Sequence, residues 1–351
     1  MRYNRLGSSG LVVSELCLGA MTFGTRESRF GAIHGLDQEA STALVRQAVD
    51  AGINFIDTAN VYTEGQSEEF VGGAIKALGL KRSDVVIATK ATGAMGSKPN
   101  DQGFSRVHLL GQIDASLERL GLDHVDLYQI HAWDPHTPME EGLRALEDIV
   151  RSGRARYVGV SNWAAWQIAK ALGIAERRGW DKFASLQAYY TVAGRDLERE
   201  LAPMLRSEGL GLMVWSPLAG GVLSGKYSLD AEGEITGDGR RQNFDFPVVD
   251  KQRTFALVDA MRPMAEAKGV SVAGVALAWL LYQEVVSTVI VGAKRADQLA
   301  ENLAASEIEL TADELAQLAE LGALPSEYPG WMFAMQGRSA EGKVSARRKP
   351  A

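Results

Sequence analysis

Apolar residues come in short runs along the chain, and most runs are followed by a longer stretch in which they recur every three or four positions. The runs fall at residues 16–19, 54–56, 85–89, 125–130, 155–160, 184–187, 211–215 and 287–291. Short and often unbroken, they predict strands buried on both faces. The stretches at 39–51, 67–78, 105–120, 139–151, 163–178 and 196–207 carry the helical period. Each stops near a glycine suited to the left-handed turn after a helix: Gly52, Gly79, Gly121, Gly153, Gly179 and Gly209. Strict alternation of strand and helix implies a parallel sheet with right-handed crossovers. Eight such strands suggest closure, giving an α/β fold of the (β/α)8 TIM-barrel type.

A barrel of this kind takes ~250 residues, so a chain of 351 carries extras. Residues 2–13, centred on Gly7-Ser8-Ser9-Gly10, read as an N-terminal β-hairpin capping the barrel floor. Residues 218–251, rich in Gly, Asp and Arg, read as a long functional loop or lid after strand seven. The chain divides into one barrel domain over 1–324 and a C-terminal tail over 325–351, partly flexible or folding over the active site. The polar, basic end of that tail, 337–351, is expected to be disordered unless it folds over the site.

Composition acts mainly by exclusion. Hydrophobic residues at 46% and charged residues at 23% describe a folding chain rather than a disordered one. A formal net charge of −7 argues against a broad nucleic-acid-binding surface. One cysteine, Cys17, excludes an internal disulfide framework and a Cys-rich zinc site. The apolar run 270–282 is closed by Gln283 and Glu284, short of the ~20 residues that span a bilayer. The N-terminus, broken by Glu15 and its glycine turn, has no signal-like segment, so a cytoplasmic protein without a membrane partner is expected.

In such a barrel the chemistry sits where the strands end. Reading off each strand end gives Asp57, Asn60 and Tyr62, then Lys90, then His131 and Trp133. Ser161 and Asn162, Gln187 and Tyr189, and Trp215 and Ser216 follow. Singly, most have a plain reading: Asp57 caps a loop, Tyr62 packs, His131 is a satisfied structural histidine. Lys90 is harder to dismiss, because burial disfavours its charge unless an anion is close; Asp57 is a suitable partner. Asp57, Tyr62, Lys90 and His131 together, at four strand ends, form a constellation that the fold assembles and the sequence keeps apart.

These segments resemble the aldo-keto reductase family over residues 3–322. The matching stretches are Gly52-Ile-Asn-Phe-Ile-Asp57-Thr-Ala-Asn-Val-Tyr62, the strand ending in Lys90, and Asp126-Leu-Tyr-Gln-Ile-His131. Val158-Gly-Val-Ser161-Asn162, Gln187, Trp215-Ser-Pro-Leu218, Gly225-Lys226-Tyr227 and the stretch from Gly292 to Asn302 continue the match. Similarity is greatest to the long-loop bacterial and potassium-channel-β-subunit-like branch. The resemblance implies a catalytic tetrad of Asp57, Tyr62, Lys90 and His131, reducing aldehydes or ketones reversibly by direct hydride transfer. Tyr62 would be the general acid, with its pKa brought down by Lys90. Asp57 would keep Lys90 charged, and His131 would orient the carbonyl.

The resemblance also implies NADPH, preferred over NADH. Met21 would be among the cofactor contacts. Ser161, Asn162 and Gln187 would contact its carboxamide and Trp215 would stack on its ring. Ser216, Leu218 and Lys226 would hold the pyrophosphate. Gly292, Gln298, Glu301 and Asn302 would hold the adenosine end. Lys294, with Arg295 as a second candidate, would take the 2′-phosphate. Phe23 and Trp133 are candidates for the substrate pocket, with Trp163, Trp331 and Phe333 as further aromatic candidates. The substrate is a small carbonyl or alcohol compound, and the reading leaves room for a homo-oligomer.

Competing readings exist. Gly220-Gly-Val-Leu-Ser-Gly225-Lys226 nearly spells a phosphate-binding loop, but Tyr227 stands where Ser or Thr would bind magnesium. His131, Asp134 and His136 are ligand types at a spacing that fits no strong metal signature, so no metal is expected. Lys90 as a Schiff-base nucleophile would have to be neutral. A cofactor-binding regulatory or partner subunit with slow turnover is the alternative to an enzyme.

Overall fold

The chain opens with β1 (Tyr3–Arg5) and β2 (Val12–Ser14), paired antiparallel. The turn between them presses on the barrel: a Cβ on Gly7 would lie 2.5 Å from the Gly209 carbonyl oxygen, and its φ is +61°. Only glycine meets both demands. The hairpin's Leu6 and Val13 are fully buried against Cys17, Phe55, Leu127 and Met213 inside the barrel. The hairpin is the plug of the barrel floor, as its sequence implies.

Eight parallel strands close the barrel: β3 (Leu16–Gly19), β4 (Phe55–Asp57), β5 (Val86–Ala91), β6 (Val125–Ile130), β7 (Ala155–Ser161), β8 (Ser185–Tyr189), β9 (Gly211–Trp215) and, later, β12 (Val286–Val291). β12 pairs with both β9 and β3, which completes the ring. The computed structural model describes residues 1–27, 35–237, 239, 241, 244–333 and 335.

Around the ring lie α1 (Gln38–Asp50), α2 (Gln66–Leu78), α3 (Arg106–Leu120), α4 (Met139–Arg151), α5 (Ala165–Arg178) and α6 (Leu201–Glu208), each between successive strands. Gly79, Gly121, Gly179 and Gly209 cap their helices in the left-handed conformation. α1 and α4 instead end on Ala51 and Ser152, with Gly52 and Gly153 one place later. The helix expected over 196–207 is broken into a 3-10 turn, Asp196–Glu198, and α6. Pro203 explains the break. It fits the first turn of a helix but clashes with the carbonyl four residues back if the helix begins earlier.

After β9 a long loop carries a 3-10 turn, Ala219–Ser224, and a two-strand ribbon of β10 (Ser228–Leu229) and β11 (Ile235–Thr236). The chain then enters α7 (Lys251–Lys268) and α8 (Val272–Leu281). The apolar run 270–282 is α8, buried at every position from Ala273 to Leu280 in the main core. No single helix among the described residues is long and apolar enough to cross a membrane; α7 and α8 pass that test only as a pair bent by 97°. α9 (Ala296–Ala304) and α10 (Ala312–Leu321) follow β12.

Beyond α10 the chain returns toward the segment that leaves β8. Arg199 donates to the Pro325 carbonyl at 3.1 Å and pairs with Glu327 at 2.9 Å. Pro325 and Glu327 thus contact the segment that joins β8 to α6. The expectation for 337–351 lies outside the described residues.

Candidate active site

Lys90 occupies the fifth position of β5, inside the strand rather than after it, and its side chain is completely buried. Strand alternation turns Lys90 inward and Thr89 outward. The ammonium donates to Asp57 Oδ2 at 2.5 Å, to the Thr58 carbonyl at 2.8 Å and to Tyr62 Oη at 3.2 Å. Three donors meet three acceptors, so the buried charge is fully satisfied. Burial alone would lower its pKa, but Asp57 and Tyr62 outweigh that and hold it above its ordinary value. A Lys90 kept charged is a poor amine nucleophile, which counts against Schiff-base chemistry.

Asp57 closes β4, next to β5. Its second oxygen, Oδ1, accepts the amides of Gln129 and Gln187, both at 2.9 Å. Gln129 is the residue that the strand-end reading passes over. It lies two positions before His131 on β6, fully buried, and accepts a further bond from Gln187 at 3.1 Å. A glutamine two positions before His131, on the same face of the strand, is its signal. It lies on the interior face, below the strand end.

Tyr62 follows β4 on a short turn, Tyr62–Gly65, and is buried beside Ala59 and Val61, with Met21 and Met95 packed against the group. Because Lys90 donates to Oη, the phenolic proton is left free to be given elsewhere. Burial raises the Tyr62 pKa more than the Lys90 ammonium lowers it, so the net shift is upward. Lys90 acts downward on Tyr62, as the resemblance implies, while desolvation is the larger effect. His131 stands edge-on to Tyr62, with ring centroids 5.7 Å apart. The four residues come from three successive strands, β4, β5 and β6, not from four.

Ser161, Asn162, Gln187 and Trp215 form the next arc of the rim. Ser161 donates to the Gln187 carbonyl at 2.9 Å. Asn162, with φ +60°, donates to the His131 carbonyl at 3.1 Å and accepts from Trp215 Nε1 at 3.0 Å. Asn162 Oδ1 and Gln187 Oε1 keep lone pairs with which to accept amide hydrogens.

The Trp215 indole lies 5.6 Å from the Phe246 ring and only 6° from parallel to it. The Phe246 backbone lies against the left-handed turn at Ala219, Gly220 and Gly221. A Cβ on Gly220 would lie 2.6 Å from the Phe246 carbonyl oxygen. Ser216 Oγ accepts from the Gly220 amide, and Leu218 is half-buried beside that turn. The exposed Lys226 lies against Gly221, and no carboxylate among the described residues pairs with it. This segment runs into β10 rather than a helix, so it is not a phosphate-binding loop of the strand-to-helix type.

Beyond β12, Gln298 accepts from the Lys294 backbone amide, and Asn302 donates to the Gly292 carbonyl. Glu301 is exposed on α9. Arg295 is bound to Asp297 at 2.9 Å. Phe23 is completely buried in the main core, so it does not wall an open pocket here. Trp163 is likewise core. Trp133 is half-buried, edge-on to Trp163 at 4.8 Å, while Trp331 and Phe333 are exposed. Asp134 is already engaged, accepting from His136 and Thr137 of its own loop and from the Phe104 amide ahead of α3. Among the described residues, no three His, Cys, Asp or Glu side chains form a group that could hold a metal ion.

The model of the aldo/keto reductase family matches residues 15–323. A versiconal hemiacetal acetate reductase of Aspergillus parasiticus is 38% identical, over 94% of this chain and 99% of its own. A "probable voltage-gated potassium channel subunit beta" of Oryza sativa subsp. japonica is 40% identical, over 88% of this chain and 92% of its own. An uncharacterized oxidoreductase of Bacillus subtilis is 36% identical, over 92% and 96%.

Proposed function

The chain belongs to the aldo/keto reductase family, a family of oxidoreductases, and on that premise we propose that it reduces aldehydes or ketones to alcohols, reversibly, using NADPH in preference to NADH. The observation that carries the reading is the buried set in which Lys90 binds Asp57 at 2.5 Å and Tyr62 Oη at 3.2 Å.

When bound, the nicotinamide supplies a hydride to the carbonyl carbon. Tyr62 gives its proton to the oxygen that becomes the alcohol, and the tyrosinate left behind is stabilised by Lys90. Asp57, fixed by Gln129 and Gln187, keeps Lys90 charged and in place. His131 orients the carbonyl oxygen where negative charge develops. In the reverse direction tyrosinate takes the proton back.

The residues suit the cofactor. The unused acceptors of Asn162 and Gln187 match a carboxamide. Trp215 presents a face to a flat ring, as its pairing with Phe246 illustrates; a nicotinamide seated on that face would share the indole with Phe246 or displace it. Lys226 beside Gly221 and Ser216 suits a pyrophosphate. Gly292, Gln298, Glu301 and Asn302 suit the adenosine, and Lys294 the 2′-phosphate. Met21 packs against the group that holds Tyr62, and Trp133, two residues after His131, is the candidate wall of the substrate pocket.

The test is NADPH consumption with an activated aromatic aldehyde, run beside Tyr62→Phe and beside NADH. Loss of turnover in the variant with cofactor binding retained supports the reading, and near-wild-type rates overturn it. The likeness to a potassium channel β subunit favours a second reading, a cofactor-binding partner subunit. Tight NADPH binding without turnover across aldehydes would favour it.

A further inference from the structure

The backbone that follows Tyr62 is unusual. Thr63, Glu64 and Gly65 have φ of +49°, +53° and +89°, three left-handed residues in a row, two of them not glycine. Such backbone persists only where its surroundings hold it. On one side Thr63 donates its hydroxyl to the Phe23 carbonyl at 2.9 Å. On the other side Arg119 of α3 covers Gly65, where an added Cβ would lie 2.6 Å from Arg119 Cδ. Arg119 is itself held by Glu68 of α2, whose Oε2 accepts from Nε at 2.6 Å. The other carboxylate oxygen accepts the Thr89 hydroxyl at 2.5 Å. Glu68 is completely buried, and Thr89 is the residue before Lys90.

The contacts therefore run from Tyr62 through its left-handed elbow to Gly65, Arg119, Glu68, Thr89 and Lys90, closing a circuit behind the site. A buried ion pair often adds little stability over an apolar pair of equal volume. It does fix geometry, because both charges must stay matched. We propose that Glu68 and Arg119 are positioning residues: they brace the elbow against β5 and so set the distance at which Lys90 meets Tyr62. Neither lies among the reacting groups. This inference rests on Tyr62 being the proton donor.

The test compares wild type with Glu68→Gln, Thr89→Val and the double replacement of Glu68 and Arg119 by Met. The quantities are kcat, KM, cofactor affinity, thermal midpoint and the pH profile of aldehyde reduction. Glu68→Gln and the double variant should lose about 10- to 100-fold in kcat, the cost of a misplacement of about 1 Å, with KM and cofactor affinity unchanged. The alkaline inflection should also move upward. The charged and titratable groups around Tyr62 are Lys90, Asp57 and His131, and Lys90 alone pulls the tyrosine down; loosening that contact leaves burial to raise it further. Thr89→Val should show a smaller fall of the same kind.

The double variant separates bracing from folding, since it removes both charges at once. A well-folded double variant with low kcat and a raised inflection supports the brace. Wild-type kcat and an unmoved inflection overturn it, whether in the double variant or, if that does not fold, in Thr89→Val. Tyr62→Phe is run alongside. If it retains turnover, the reading of Tyr62 fails. If it loses turnover while the Glu68 variants do not, only the brace fails.

Discussion

Asp57 and Lys90 meet 2.5 Å apart on neighbouring strands, with both side chains almost wholly removed from water. Removing one member of such a pair strands the other charge. Asp57→Asn should therefore lower stability by about 3–5 kcal/mol, read from the denaturant midpoint. It should also slow aldehyde reduction, because Lys90 loses what keeps it charged beneath Tyr62. A variant as stable as wild type would mean that the Thr58 carbonyl and the Tyr62 hydroxyl suffice to hold the ammonium.

The pH dependence follows from the same cluster. Tyr62 lies above its ordinary 10.0, chiefly through burial, and Lys90 above its ordinary 10.5 because Asp57 and Tyr62 outweigh burial. Both bind their protons more tightly folded than unfolded. The stability they contribute is thus complete below about pH 10 and is lost as pH rises through the folded values. Reduction, which needs protonated Tyr62, should hold its rate from neutral pH to about 10 and fall beyond it. Alcohol oxidation, which needs tyrosinate, should rise over the same range. An inflection in kcat for reduction near neutrality would point to His131 as the acid instead.

Cofactor choice is predicted to reside at Lys294, whose ammonium would pair with the 2′-phosphate. Lys294→Glu should weaken NADPH far more than NADH in fluorescence titrations. Equal losses would mean that the 2′-phosphate is held elsewhere.

The barrel floor should be separable from the chemistry. Leu6→Ala empties a fully buried position under the barrel and should cost about 2–5 kcal/mol of stability. Turnover per folded molecule should stay at the wild-type level, since Leu6 packs with Cys17 and Met213 rather than with the rim. A matching loss of kcat would mean that floor packing reaches the site.

Strand-helix alternation made the barrel legible because the barrel strands are mostly buried on both faces and the helices α1 to α6 each end at or beside a glycine. Its misreadings have local causes. Pro203 divides a stretch whose apolar spacing looks continuous. Lys90 and Gln187 lie within strands, because the interior of this barrel is polar near its rim and apolar runs underestimate strand length. Tyr62, Lys90 and Asp57 could be found as strand-end groups, whereas Gln129 and Glu68 could not. Their importance lies in partners 72 and 51 residues away, Asp57 and Arg119. Phe246 against Trp215 was likewise invisible, since the two are 31 positions apart and meet through the long loop. Phe23, an aromatic near a strand end, gave no sign that it faces the core.

The most direct test follows one hydrogen atom. NADPH deuterated at the transferable position of its nicotinamide is incubated with an activated aromatic aldehyde, and the alcohol is analysed by mass spectrometry, with Tyr62→Phe in parallel. The account predicts one deuterium on the former carbonyl carbon with wild type, and no alcohol from the variant although it still binds NADPH. Alcohol whose carbon-bound hydrogen comes from water, or undiminished turnover in Tyr62→Phe, would contradict it.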